Sequence, residues 1–202
     1  METTTTGTLD FRVHADRLTT LTGVYVAGTD TTTWTTEYAM DTNNETFVVI
    51  HPTTGRPAIE AVIATANTIT VAGDYSAVDY HIAFQFEMRY RLTPWYLKNQ
   101  QGAALLQGRL QVRTLVLNFK DTGYYKVEVT PTGRDMTTDV FSGAIIGVSV
   151  LGAVSLHTGE QRHTIKSRNT QVQVDLVSDS YIPLAFQAGS WEGIYFPRGK
   201  ER

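Results

Sequence analysis

The chain has 202 residues, a net charge of −3 and no cysteine, and hydrophobic residues make up 42% of it. That content suits a folded core and is too high for a disordered chain. The missing cysteine excludes disulfides, cysteine nucleophiles and thiolate zinc sites, and the slight acidity gives no basic bias toward tight nucleic-acid binding.

The N-terminus, Met1 to Thr6, has no basic start and no apolar stretch, so it does not read as a secretion signal. Thr3 to Thr6 reads as an exposed tail, and Thr31-Thr32-Thr33 as an exposed loop. Threonine is β-branched and favours extended chain, so a chain this rich in it is expected to be all-β. Leu9-Phe11-Val13, Thr46 to Ile50, Ala58 to Ile63 and Thr68 to Ala72 are short strand candidates between Gly, Asn, Asp and Pro turns. A boundary near Ala77 to Tyr80 divides the expectation. Residues 1–78 form a smaller β subdomain with a flexible Thr-rich start, and residues 79–202 a larger antiparallel, sandwich-like one.

Tyr80 to Leu92 alternates apolar and polar residues over its whole length, which predicts a strand long enough to bend or to serve two sheets. Thr93 as N-cap and Pro94 at the first turn predict one short helix over residues 94–101, ending at Gly102. Arg109 to Phe119 predicts a second long strand, with a phase change near Thr114 that calls for a β-bulge. Asp121-Thr122-Gly123 reads as a turn into a hairpin partner, Tyr124 to Thr130. Gly143 to Val154 is the longest apolar run, too short and too broken to span a bilayer. Val172, Val174 and Leu176 mark a half-buried strand. The architecture expected is therefore antiparallel sandwich-like or barrel-like subdomains with one short helix.

Reaction chemistry is sparse. There is no phosphate-binding glycine loop and no nucleophile elbow, and the five histidines show no metal-ligand spacing. No cofactor or metal site is expected. Asp135 with Asp139, or Asp175 with Asp179, could be posed as a glycosidase pair, but each lies in or beside a polar turn where Asp is common.

Arg89 and Arg91 share the polar face of the long strand with Glu87. They read either as a solvated face with cross-strand ion pairs or as an inter-subunit contact or channel lining. Trp95 and Tyr96 either cap a core or dock a neighbour. The segment Ser190 to Arg198 crowds Trp191, Tyr195, Phe196, Pro197 and Arg198 together, as a closing core strand or as a contact surface.

Three segments together resemble one family. They are Phe86-Glu87-Met88-Arg89-Tyr90-Arg91-Leu92 with Pro94-Trp95-Tyr96-Leu97-Lys98; Gly108 to Arg113 with Asp121-Thr122-Gly123-Tyr124-Tyr125; and Trp191-Glu192-Gly193-Ile194-Tyr195-Phe196-Pro197-Arg198. Their order and spacing resemble the C-terminal region of the tail tubular protein B, or nozzle, of short-tailed bacteriophages. Asp16 to Asp74 is similar to that family's lead-in. Typical nozzles are several times longer, so the chain reads as a fragment, a separately encoded piece or a minimal nozzle. The resemblance implies a non-enzymatic virion protein in a hexameric ring below portal and adaptor. Tail fibres would be further neighbours, and viral DNA would pass without specific binding. Assembly would take place in the host cytoplasm, with no membrane partner. It makes Trp95, Tyr96, Arg89, Arg91, Trp191, Tyr195 and Arg198 the candidate assembly residues. The other reading, from a different class, is a carbohydrate-binding or polysaccharide-degrading β module of a phage tail.

Overall fold

The structure is a computed structural model and describes residues 14–41, 46–56, 62–143 and 154–197, apart from the side chains of residues 62–64. It is all-β, with no helix among the described residues. Four antiparallel sheets form, and none closes into a barrel. The chain divides into two compact units: Met1–Glu87 with Ala144–Ser155 and Asp179–Pro183, and Met88–Gly143 with Leu156–Ser178 and Leu184–Arg202. The backbone thus passes between the units five times.

The first unit pairs two sheets. One has the order β1 (Asp16–Thr22), β7 (Asp79–Gln85), β4 (Thr46–Ile50). The other runs β2 (Val24–Val26), β3 (Thr31–Thr35), β6 (Thr68–Ala72), β5 (Val62–Thr65). Trp34, Ile69 and Val71 from the second sheet meet Phe47, Val49, Tyr80 and Ile82 from the first in one buried cluster. Gly23 makes room for Trp34, since a Cβ there would lie 2.9 Å from the indole and 2.4 Å from Thr32.

The expected Thr31-Thr32-Thr33 loop is instead strand β3, with Thr32 fully buried. A β-branched side chain suits a strand, and the buried hydroxyl is satisfied locally. Thr32 Oγ1 donates to the Gly73 carbonyl at 2.7 Å and accepts from the Tyr75 amide at 2.9 Å. Tyr181 closes a second apolar cluster of this unit with Ile50, its hydroxyl donating to the Gly55 carbonyl at 3.0 Å. Burial pushes that hydroxyl up to about 12.

The second unit is a sandwich. One sheet has the order β11 (Thr137–Ser142), β10 (Tyr124–Pro131), β13 (Val172–Ser178), β8 (Met88–Arg91). The other runs β12 (His157–Arg168), β9 (Arg109–Thr122), β14 (Phe186–Phe196). Leu110, Val112, Leu115, Leu117, Phe119 and Ile165 from the latter face Tyr125, Val127, Val129, Val174 and Leu176 from the former. Each such side chain contributes about 1.5–3 kcal/mol by leaving water. A polar strap, buried at Tyr125 and His163 and exposed at Asp139, crosses between the sheets. Tyr125 Oη lies 2.9 Å from His163 Nε2, and His163 Nδ1 lies 2.8 Å from Asp139 Oδ2. Burial, aided by the Asp139 charge, raises the Tyr125 hydroxyl well above its usual range.

The long alternating stretch expected from Tyr80 to Leu92 breaks at Phe86-Glu87, and its halves serve two sheets as β7 and β8. The expected bulge near Thr114 is present. Both neighbours of β9 shift register there, between Thr164 and Ser167 and between Glu192 and Gly193. Asp121-Thr122-Gly123 does not close a hairpin. β9 and β10 lie in opposite sheets, so the turn carries the chain across the sandwich.

The helix expected over residues 94–101 is absent. Asn99 folds its own turn instead, its Oδ1 accepting from the Gln101 and Ala103 amides at 3.0 and 2.9 Å. Lys98 pairs with Ala104, and Gly102 takes φ +80°. Trp95 and Leu97, two apart, both pack on the core, which an extended segment allows and a helix does not. The expected strand Leu9-Phe11-Val13 and most of Ala58 to Ile63 lie outside the described residues.

Candidate assembly surface

Arg89 and Arg91 sit on β8, an edge strand, where the register sets Arg91 opposite Asp175 and Arg89 opposite Val177. Arg91 Nε and Nη2 donate to the two carboxylate oxygens of Asp175 at 2.8 and 3.2 Å. Arg89 Nη1 donates to Glu128 Oε2 at 2.6 Å and to Asp175 Oδ2 at 3.4 Å. Gln173 Nε2 adds a donor to Asp175 at 2.9 Å. Asp175 is buried, and the Arg91 hydrogen bond holds its carboxyl below the usual carboxylate range. A two-pronged arginine fixes geometry as well as charge, and removing one partner would strand a buried ion. These arginines therefore brace their own sheet. Tyr90 faces the same side as its opposite, Leu176, yet is 60% exposed because β8 lies at the sheet edge.

The aromatic candidates are divided between framework and surface. Trp191 and Tyr195 stand opposite Leu115 and Leu110, and with Trp95 they pack on the core of the second unit. The Tyr195 hydroxyl donates to the Gln107 carbonyl. Gly108 makes this possible: its φ is +113°, and a Cβ there would lie 2.5 Å from that hydroxyl. Asn169 ties the other segment in, donating from Nδ2 to the Trp95 carbonyl at 2.7 Å and from its amide to Leu110 at 3.1 Å. A Cβ on Gly193 would lie 2.6 Å from the Gln111 carbonyl, so β14 runs against β9 as only glycine permits. Sequence reasoning missed Gly108, Asn169 and Gly193. The available signals were a glycine just before the Arg109 strand and a glycine inside Trp-Glu-Gly-Ile-Tyr.

The first and third of the resembling segments therefore converge. Tyr96 and Tyr195, with Leu97, Leu105, Leu106 and Asn169, line a cavity of about 30 Å³. That is room for a water molecule and far too little for a metabolite. Leu106 is 75% exposed, and Ile194 and Phe196 are also exposed. Arg89 and Arg91 lie on the opposite sheet, and Arg198 lies outside the described residues. Among the described residues no group of three His, Asp or Glu side chains is placed to hold a metal ion.

Two units built of paired sheets, arginines and aromatics that brace their own strands, and apolar side chains left at the surface are the features of an all-β framework protein. A family model described as bacteriophage nozzle protein matches residues 1–202. The chain belongs to the bacteriophage nozzle protein family, structural components of the phage tail and hence of the virion. Comparison with curated proteins returns no match.

Proposed function

We propose that the chain is one subunit of a hexameric ring that sits below portal and adaptor and extends the channel through which DNA leaves. The observation that carries this reading is the family match along the whole chain. The surface supports it. Exposed Leu106, Ile194 and Phe196 beside half-buried aromatics are the composition of a protein contact. A closed ring requires a head-to-tail contact between unlike patches. The subunit is non-catalytic in this reading. Asp175 is engaged by Arg89, Arg91 and Gln173, so in this reading its carboxylate serves the sheet. DNA passes without specific binding, and tail fibres are further neighbours. The virion part is assembled in the host cytoplasm.

Mixing the purified chain with the portal–adaptor complex of its phage tests this. Negative-stain images are expected to gain a sixfold layer at the adaptor end. Failure to bind, or a layer of other symmetry, overturns the ring.

A further inference from the structure

The net charge of −3 conceals a segregation. The first unit holds 12 of the 20 acidic residues and 3 of the 17 basic ones, a net of −9; the second holds 8 and 14, a net of +6. On the second unit six of the 14 cations lie on the sheet β12-β9-β14. Arg109, Arg113 and Lys166 are exposed there, Arg113 and Lys166 in the facing bulges. Register sets Arg109 opposite exposed Phe196, and sets Gln111 between Arg168 and exposed Ile194. On the first unit, Val24 and Val26 are 67% and 48% exposed on the edge strand β2. Asp30 accepts from the Tyr25 hydroxyl at 3.0 Å, and its carboxylate, with that of Asp74, raises the Tyr25 pKa. One unit thus carries a strand edge with two bare valines on one side and the carboxylates around Tyr25 on the opposite side, and the other unit a basic face with two bare apolar side chains.

We propose that the basic face of one copy docks the acidic β2–β3 tip of a second copy, head to tail, with Ile194 and Phe196 packing on Val24 and Val26 and the long side chains of Arg109 and Arg113 reaching past the β2 edge to Asp30 and Asp74. This rests on the reading of the chain as a self-assembling tail subunit and specifies the contact that reading leaves open. Charge complementarity selects the occupant: opposite net charges on two parts of one chain attract unlike parts of neighbouring copies and repel like parts. Nucleic acid fits less well. Glu160 and Glu192 share the sheet with the arginines, and exposed Ile194 and Phe196 offer nothing to phosphate.

Sedimentation velocity on the purified chain tests it without portal or adaptor, so a failure here is distinct from a failure of the ring reading. Self-association is expected at about 20 mM salt and is expected to weaken about tenfold or more at about 500 mM. Two variants carry opposite lesions: R109E with R113E on the basic face, and D30N with D74N on the acidic tip, asparagine tolerating the φ of +50° at position 30 and retaining acceptors for Tyr25 and Ser76. Each alone is expected to be monomeric with an unchanged melting temperature. Their equal mixture is expected to form dimers and nothing larger, because each retains one intact patch. Monomeric wild-type protein at low salt, salt-insensitive association, variants that associate like wild type, or a monomeric mixture overturns the proposal. So does wild-type self-association in the arginine variant together with lost binding to a DNA duplex, which would make the face a phosphate site.

Discussion

His81 is a buried group whose protonation must cost stability. It sits between β1 and β4 on the central strand β7, with Nδ1 2.9 Å from Thr20 Oγ1. Burial lowers its pKa below the ordinary 6.5. The unfolded chain takes up this proton near pH 6.5 and the folded chain only at lower pH. The stabilisation is therefore complete above about pH 6.5 and drains away as pH falls through the folded value. Half-buried His14 is lowered in the same direction. Melting curves between pH 7.5 and pH 5 are expected to show a smaller loss for His81→Gln than for wild type, the remaining slope coming from His14. Equal slopes would remove His81 from the account. At this scale the sequence was only partly legible. Arg89 and Arg91 were visible as a polar face. Their clamp on Asp175 was not, because strand pairing between residues far apart sets it. Thr32 misled for a physical reason: a polar composition suggested a loop, while the hydroxyl is satisfied inside the sheet by Gly73 and Tyr75.

Among the elements, β14 shows how strongly one strand can be specified by its neighbour. It pairs with β9 along nearly its whole length, and Gly193 lets it pass beside the Gln111 carbonyl. Gly193→Ala is expected to destabilise the second unit by about 1–3 kcal/mol, since the added methyl meets backbone that cannot swing away. A urea midpoint unchanged within error would show that the bulge absorbs the methyl. Period-two alternation made β9 and β13 readable in advance, and turn residues on either side marked out β4 and β6. The absent helix shows the limit of terminal signals. Thr93 and Pro94 are compatible with a helix start, but Asn99 and Gly102 together favour a turn, and the spacing of Trp95 and Leu97 follows the sheet. Likewise Asp121-Thr122-Gly123 announces a change of direction and leaves open which sheet receives the chain.

The largest feature hidden from composition is the charge segregation, since a net value averages a unit at −9 with a unit at +6. Each unit also has its own apolar core. A chain ending at Pro183 retains every segment of the first unit and loses β14 from the second. Trp34 is expected to remain shielded from iodide quenching in that chain, while Trp95 becomes accessible. Loss of Trp34 protection would show that the first core depends on the second. The discontinuity of both units has a mechanical meaning. A linker of one strand gives way at that strand, but here the backbone passes between the units five times. A load applied to the two units is shared by several covalent spans in parallel. In a force-extension trace this predicts that the main rips coincide with unfolding of one core or the other, since no single span carries the whole load.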